Sequence, residues 1–171
     1  MLQFDGTRQS ASDNPRKVWM ELLSRAPLHL LEPAIAPFAG PHPQWLRAPE
    51  IGLIMLQGRA GGSGDRFNLG EATVTRCALR PDSAVIACNA VGVAYVMGRS
   101  RRHAELAATA DALLQDPACK DRIPANFLPQ IQAWLQEKNT ALHTRAQATK
   151  VEFFNLAREA GASDSEQEGE G

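Results

Sequence analysis

The glycine-rich segment at residues 57–76 restricts the possible folds of this chain more than any other segment. Five of the chain's thirteen glycines fall between Gly58 and Gly70, after an apolar run and before a run rich in Thr and Val. Because glycine loses the most conformational freedom on folding, such a density indicates unusual backbone angles or a close approach to another group. The pattern predicts two strands, at residues 50–58 and 71–80, joined by a long glycine loop.

A third extended run, at residues 84–97, predicts another strand. It is long for a strand, so we expect a bend near Asn89 or Gly92. Pro81-Asp82-Ser83 predicts a turn, and short turns between strands favour an antiparallel meander. The run at residues 50–58 is apolar at both alternations, which is typical of a strand covered on both faces.

Helical periodicity on both sides of these strands predicts an α+β fold, in which an antiparallel β-meander packs with helices. Asn14 before Pro15 is typical of a helix start and Pro27 of a helix end, which together predict an N-terminal helix. Apolar residues at helical spacing predict a further helix over residues 101–115, ended by Asp116-Pro117.

The C-terminal part predicts a long helix with a heptad seam. Apolar residues recur at alternating steps of three and four from Leu128 to Leu156, over about 45 Å at helical rise. A helix of that length overshoots a small domain and needs a partner, either a second copy of the chain or another subunit. The alternative is a helix lying over the sheet, with the seam as ordinary core contact. The interface residues predicted along the seam are Leu135, Asn139, Leu142 and Phe153, with Asn139 as the polar interruption that fixes the register.

The charge distribution predicts one domain with polar ends. The formal net charge is −1, but residues 161–171 hold four acids and no base, so the remainder is net positive. Because this tail has almost no apolar residues, we expect it and residues 1–13 to be disordered around a single domain at residues 14–160. The sequence contains no segment of secretory type and no run long enough to span a bilayer, so we expect a cytoplasmic protein.

Recognisable catalytic and metal-binding motifs are missing from the sequence. Cys77, Cys88 and Cys119 have no CxxC spacing, which favours buried thiols over a disulfide framework or a metal site. Gly62-Ser63-Gly64 is followed by Phe67 where a dinucleotide loop needs its third glycine, and a P-loop needs a lysine that is absent here. Aromatic residues are too few in the basic part of the chain to favour a nucleic-acid surface.

Arginines are concentrated around the glycine segment. Residues 58–102 contain seven arginines and no lysine, and the planar guanidinium group suits bidentate recognition of phosphate or carboxylate. Arg99 also precedes a predicted helix start, where backbone N–H groups favour anions. For any single arginine, the alternative is pairing with a carboxylate of the same chain or exposure to solvent.

Four blocks, in order along the chain, resemble the G subunit family of the bacterial carbon–phosphorus lyase system, the PhnG family. They lie at residues 49–53, 58–76, 98–105 and 150–154, and together they extend over most of residues 15–158. The second block, which contains the glycine segment, is long enough to be specific by itself. The chain departs from the family pattern at Ser100 and after Phe154.

The resemblance implies a subunit of a cytoplasmic complex in organic phosphonate catabolism, with the H, I and J proteins as partners and the K and L proteins associated. In that system the G, H, I and L proteins together form α-D-ribose 1-methylphosphonate 5-triphosphate from MgATP and methylphosphonate, displacing adenine. The family has no established catalytic residue in its G subunit. The resemblance therefore implies an accessory, architectural role without activity in isolation. It implies no cofactor or metal on this chain, MgATP as substrate of the complex, homodimeric copies within it, and no contact with nucleic acid or membrane.

The predicted site serves either anion binding or subunit contact. Its residues are Arg59, Gly61, Gly62, Gly64, Asp65, Arg66, Arg76, Arg99 and His103. Two alternatives stay open. One is a free-standing α+β protein that binds phosphate or other anions, and the other is an enzyme in which Asp65 or Glu71 acts as general base or metal ligand.

Overall fold

Three strands form one antiparallel sheet. The computed structural model describes residues 14–60 and 63–150. The strands are β1 (Gln44–Arg59), β2 (Arg66–Arg80) and β3 (Gly92–Met97), which pair in the order β1-β2-β3. Both strand pairs are antiparallel. The predicted meander within an α+β fold is therefore confirmed.

Helices precede and follow the sheet, and side chains cap three of them. In the described residues the helices are α1 (Pro15–Arg25), α2 (Leu28–Ile35), α3 (Arg101–Gln115), α4 (Pro117–Lys120) and α5 (Phe127–Ala148). The Asn14 side chain accepts a hydrogen bond from the Arg16 amide at the start of α1, and the Ser100 hydroxyl accepts one from the His103 amide at the start of α3. These bonds satisfy amides that have no partner within the helix. The predicted N-terminal and long C-terminal helices are both present.

Helix α3 packs across one face of the sheet and forms the centre of the core. Residues that are fully or almost fully buried around it include Leu79, Val96, Leu106, Leu113 and Ile131. The Cys77 thiol on β2 donates to the Ala104 carbonyl of α3 at 3.1 Å. A Cβ atom on Gly92 would lie 1.8 Å from the Ala108 carbonyl oxygen. Only glycine therefore allows β3 and α3 to approach this closely.

A buried carboxylate joins three elements of this core. Asp111 of α3 is fully buried and accepts hydrogen bonds from the Arg16 guanidinium at 2.8 Å and from the Trp19 indole N–H at 2.9 Å, both on α1. It also accepts the Val93 amide of β3 at 3.0 Å. A buried charge needs such partners because losing water is costly. The sequence analysis did not single out Asp111.

The β1–β2 hairpin extends well beyond β3. The pairing of β2 with β3 covers Val74 to Leu79, whereas the pairing of β2 with β1 continues to Arg66. We call the two-stranded extension, residues 53–59 and 66–73, the hairpin arm. At about 3.3 Å per residue it is roughly 23 Å long.

The prediction that the first strand is covered on both faces is wrong. No residue of β1 is buried. The reason is that α3 begins at Arg101, directly after β3, and packs back over the three-stranded part of the sheet. None of the described helices covers the hairpin arm, so apolar residues on both of its faces remain exposed.

Two other boundaries differ from the sequence prediction. The predicted long glycine loop is shorter, because the strands continue to Arg59 and Arg66 and leave only residues 60–65 between them. The third extended run is a strand only over Gly92–Met97. The turn before it continues past residue 83, since the Asp82 carboxylate accepts the amides of His42 and Ala84 at 3.0 Å.

Helix α5 is half packed and half projecting. Phe127, Ile131 and Leu135 are buried, but every residue from 136 to 150 is exposed. The first half of the predicted seam is therefore core of the same chain, while the second half overshoots the domain as expected. The remainder of the seam, with Phe153, and the expected disordered ends at residues 1–13 and 161–171 lie outside the described residues. No described helix has the length and apolar character needed to cross a membrane.

Candidate subunit interface

The hairpin arm exposes large apolar side chains. Each of the following is at least 39% exposed: Leu53, Ile54, Met55, Leu56, Phe67 and Leu69. Single exposed apolar residues are normal on a protein surface, but a contiguous group on a long edge strand marks an interaction site or an aggregation hazard. The arm is therefore the strongest candidate for a protein–protein interface in the described residues.

The apolar residues lie on both faces of the arm. Leu53 pairs with Thr73 and Ile54 with Ala72, and consecutive residues of a strand point to opposite faces. Leu53 and Met55 share the face on which α3 packs further along the sheet, whereas Ile54 and Leu56 share the outer face. A partner that buries this surface must enclose the arm or contact it from both sides.

On the outer face, the apolar surface continues onto the three-stranded part of the sheet. Tyr95 and Met97 of β3 pair with Arg76 and Val74 of β2, which places both on the face opposite α3. They are 50% and 61% exposed. These two residues were not predicted from the sequence, because the extended run at residues 84–97 was assigned to a strand without deciding which of its residues lie on which face of the sheet. Their position beside Val74 makes them part of the same candidate interface.

A β-bulge shapes the arm. Leu56 pairs with Gly70 and Gln57 with Asn68, so Leu69 is the extra residue on β2. Gly70 has a φ of +147°. Residues other than glycine rarely adopt a backbone conformation in this region. Bulges increase the local twist of a strand pair. Gly70 is therefore required by the bulge in the arm, and it does not belong to the loop that the sequence predicted.

The tip of the arm carries two cations whose side chains have no partner in the part of the chain that the structure describes. Arg59 and Arg66 face each other across the strands, and neither side chain makes an ion pair or hydrogen bond within the described residues. Like charges directly opposite on a sheet are unfavourable. Asp65 beside them is exposed and is likewise unpaired there. An anionic group of a partner or a ligand would relieve the repulsion between the two guanidinium groups.

The glycines of the tip are only partly described. A Cβ atom on Gly64 would lie 2.5 Å from the Ala60 carbonyl oxygen, and its amide donates to that oxygen at 2.9 Å. This turn therefore requires glycine at position 64. Gly61 and Gly62, which were also predicted as site residues, lie outside the described residues.

Arg76 has a partner within the chain. Its Nε lies 2.7 Å from Oε1 of Glu50 on β1, and Arg47 lies 3.4 Å from the same oxygen. All three side chains are between 42% and 47% exposed, so each pair contributes about 0–1 kcal/mol at most. In the isolated chain Arg76 therefore pairs with a carboxylate of the same chain, which is the alternative that the sequence left open for each arginine.

Arg99 and His103 lie at the start of α3, away from the tip. The Gly98 amide donates to the Thr73 carbonyl, which places Arg99 at the base of the arm, about 20 Å from Arg66 by strand rise. His103 Nε2 lies 2.9 Å from the Leu23 carbonyl oxygen, so its ring faces α1. The structure therefore separates the predicted cations into two groups that one small ligand cannot bridge.

The next cation along α3 links this helix to α2. Arg102 donates to both carboxylate oxygens of Glu32 on α2, at 3.0 and 3.1 Å, and to Glu105 at 3.2 Å. The hydrogen bond from Arg102 lowers the pKa of Glu32, and the bond to Glu32 raises the pKa of Arg102. Ser100, which departs from the family pattern, is the cap of this helix.

Groups suited to catalysis are poorly placed in the described residues. Burial raises the pKa of the Cys77 thiol to about 12. Burial, together with the neighbouring Cys88, raises that of Cys119 to about 11. Thiols with such pKa values stay protonated and are weak nucleophiles. A cavity of about 250 Å³ between α1 and β3, next to Tyr95, is smaller than the roughly 300–1,000 Å³ of typical ligand sites.

The exposed end of α5 forms a second candidate surface. Asn139 and Leu142, two of the predicted seam residues, are exposed, and Leu142 is 53% exposed. Leu135, a third seam residue, is buried in the domain. The second half of the seam thus offers only one large apolar side chain in the described residues, so it is a weaker candidate than the hairpin arm.

Comparison with known proteins identifies the family. The family model described as "Phosphonate metabolism protein PhnG" matches residues 14–159. The chain belongs to the PhnG family. A relative from Rhizobium meliloti (strain 1021) is 34% identical over 167 residues, which cover 92% of this chain and 98% of the relative. That protein is described as "Alpha-D-ribose 1-methylphosphonate 5-triphosphate synthase subunit PhnG". The match to the PhnG family includes α1, the hairpin arm, α3 and α5.

Proposed function

We propose that this chain is the G subunit of an α-D-ribose 1-methylphosphonate 5-triphosphate synthase complex in phosphonate catabolism, in the cytoplasm. The main support is the relative of that description, which matches over 92% of this chain and 98% of its own length. Within the complex the chain supports formation of the product from ATP and methylphosphonate. MgATP is a substrate of the complex.

The proposed role is architectural. An arm with large apolar residues on both faces is suited to insertion between partner proteins, because burial of each such side chain contributes about 1.5–3 kcal/mol. The expected partners are the H, I and J subunits, with K and L associated, and a second copy of the complex's G subunit. The absence of buried residues in β1 supports this role, since none of the described helices covers the strand's apolar faces on the arm.

The tip of the arm has a further part in this proposal. Arg59 and Arg66, with Arg99 at the base, bind anionic groups of the partners or of the triphosphate. Guanidinium groups bind carboxylate and phosphate in the same bidentate manner. Their lack of carboxylate partners in the described residues supports this assignment.

Co-expression with the H, I and J subunits tests the proposal. Leu53→Glu and Met55→Glu place charges on the arm, and Val18→Glu on α1 is the matched control because Val18 is similarly exposed. We expect the wild-type chain and the control to co-purify in one multi-subunit particle by native mass spectrometry, and the arm variants to be lost from it. Unchanged assembly by both arm variants would contradict the interface.

Turnover distinguishes the proposed role from the alternatives. The complete set of G, H, I and L proteins should form product from MgATP and methylphosphonate, whereas the isolated chain should not. A wild-type chain that ignores these partners but binds inorganic phosphate or ATP would support the free-standing anion binder instead. Turnover by the purified chain alone, lost in Asp65→Asn, would support an enzyme.

A further inference from the structure

Two of the three cysteines meet beside a carboxylate, on the side of the core away from the hairpin arm. Cys88 lies in the connection between β2 and β3, Asp116 at the junction of α3 and α4, and Cys119 in α4. The two sulfur atoms and one carboxylate oxygen all lie within 4.8 Å of one another. Both cysteines are buried and Asp116 is half-buried.

The local structure holds these groups together. Asp116 ends α3 and caps α4 by accepting the Ala118 amide at 3.0 Å. Its carbonyl oxygen accepts the Cys119 amide at 3.0 Å, so the two side chains are one helical turn apart and share a face. The Cys88 sulfur lies 3.6 Å from the Ala112 carbonyl oxygen of α3, which brings the β2–β3 connection against this junction.

We propose that Cys88, Asp116 and Cys119 bind a thiophilic divalent cation of the zinc type. Thiolates and carboxylates are common protein ligands of Zn²⁺, and its Zn–S bonds of about 2.3 Å require sulfur atoms roughly 3.8 Å apart in a tetrahedral site. The observed separation of at most 4.8 Å is close to that requirement. Three protein ligands leave a fourth position, which water fills from the half-buried side at Asp116.

The carboxylate has no cationic partner in the described residues that a metal ion would have to displace. One oxygen of Asp116 accepts the Ala118 amide, and no lysine, arginine or histidine of the described residues pairs with the group. A carboxylate beside two buried thiols, without a cation of its own, is an arrangement that a bound cation stabilises. Because a thiolate is the ligand, binding of the cation releases the thiol protons.

Cys77 shows what an ordinary core cysteine of this protein looks like. It is as deeply buried as the other two, and like them its thiol donates to a backbone carbonyl. It belongs to no group of metal-ligating side chains in the described residues. Cys77 therefore provides a control for each variant of the proposed site.

Metal titration of the full chain, kept reduced and freed of metal, tests the site. We expect the wild type and Cys77→Ser to take up about one equivalent of Zn²⁺ in competition with a chromophoric chelator. We expect at least about tenfold weaker Zn²⁺ binding in Cys88→Ser, Cys119→Ser and Asp116→Asn. The reason is that mutating a residue that only hydrogen-bonds a metal ligand already weakens metal affinity by about 10–100-fold. Asp116→Asn keeps an amide oxygen for the helix cap, so it should preserve the fold.

Cobalt provides a second readout that a merely structural cysteine pair would not give. Co²⁺ added to the wild type and to Cys77→Ser should produce thiolate-to-metal charge-transfer absorption, reduced in Cys88→Ser and in Cys119→Ser. The proposal is overturned if the reduced wild type binds neither ion, or if Cys77→Ser loses binding to the same extent. It is also overturned if Cys88 and Cys119 form a disulfide in air and the reduced protein then takes up no metal.

Discussion

The hairpin arm and the body around α3 share one strand but have opposite relations to solvent. On the face of β2 that α3 covers, Thr75, Cys77 and Leu79 are buried, whereas no residue between 66 and 73 is buried on either face. Large apolar side chains occur in both parts, for example Leu69 and Leu79, so the presence of such residues does not by itself make this difference. It arises from the position of α3, which covers the sheet only where β3 is present. We therefore expect residues of the body to set the stability of the chain and residues of the arm to set its association.

The largest expected effect on stability comes from the centre of the body. Asp111→Ala removes the acceptor of Arg16, Trp19 and Val93 and leaves these donors without a partner in the core. We expect a loss of about 3–5 kcal/mol in the free energy of unfolding, the range for breaking a buried pair. Urea denaturation followed by circular dichroism measures it. A loss below about 1 kcal/mol would show that Asp111 does not link α1 to β3 and α3.

The same substitution in both regions gives the next effect. Leu113→Ala, in the core, should lower the free energy of unfolding by about 2–5 kcal/mol because it leaves a cavity. Leu53→Ala, on the arm, should change it by no more than about 0.5 kcal/mol. At temperatures where both variants are folded, Leu53→Ala should reduce co-purification with the partner subunits more than Leu113→Ala does. Equal destabilisation by both variants would remove the distinction between the two regions.

A pair of glycines tests the shape of the arm. Gly70→Ala forces a side chain into a positive φ and should disfavour the bulge by about 1–2 kcal/mol. Gly52→Ala on β1 is the matched control, since its Cβ atom would meet nothing within 4 Å and its φ is ordinary. We expect hydrogen exchange in the arm to accelerate in Gly70→Ala alone, while global unfolding changes little. Identical exchange in the two variants would show that the bulge is not required.

The smallest effect is a pH dependence within the body. Because Arg102 lowers the pKa of Glu32 from 4.5, ionised Glu32 stabilises the fold above that pH. The contribution is lost as the pH falls through the lowered pKa. Glu32→Gln should therefore be less stable than the wild type at pH 7, and the difference between their unfolding midpoints should shrink on acidification. A constant difference between pH 7 and about pH 3 would contradict the assignment.

The order of helices and strands along the chain could be predicted from the sequence, because it depends on local signals. Asn14-Pro15 marks the start of α1, and the apolar spacing of residues 101–115 defines α3 to the residue. The sequence could not predict what covers the arm, since a periodicity shows which residues are apolar but does not show which surface packs over them. A run with both alternations apolar has the same pattern whether the covering surface belongs to its own chain or to another.

Long-range contacts account for what else was missed. Asp111 looks like a solvent-exposed acid in an alanine-rich helix, and its partner Trp19 is 92 positions away. Cys88 and Cys119 lack the spacing of known metal motifs, and only the turn at Asp116 brings them together. At the candidate interface, the sequence indicated Arg59 and Arg66 but could not show that they oppose each other. That pairing depends on the register of β1 with β2.

Hydrogen–deuterium exchange of the chain, alone and assembled with the H, I and J subunits, tests the central claim most directly. The claim is that a partner protein covers the hairpin arm. It predicts that peptides from residues 53–59 and 66–73 gain strong protection in the complex, while peptides from α3 change little because they are already buried. A complex that forms without added protection in the arm would contradict it.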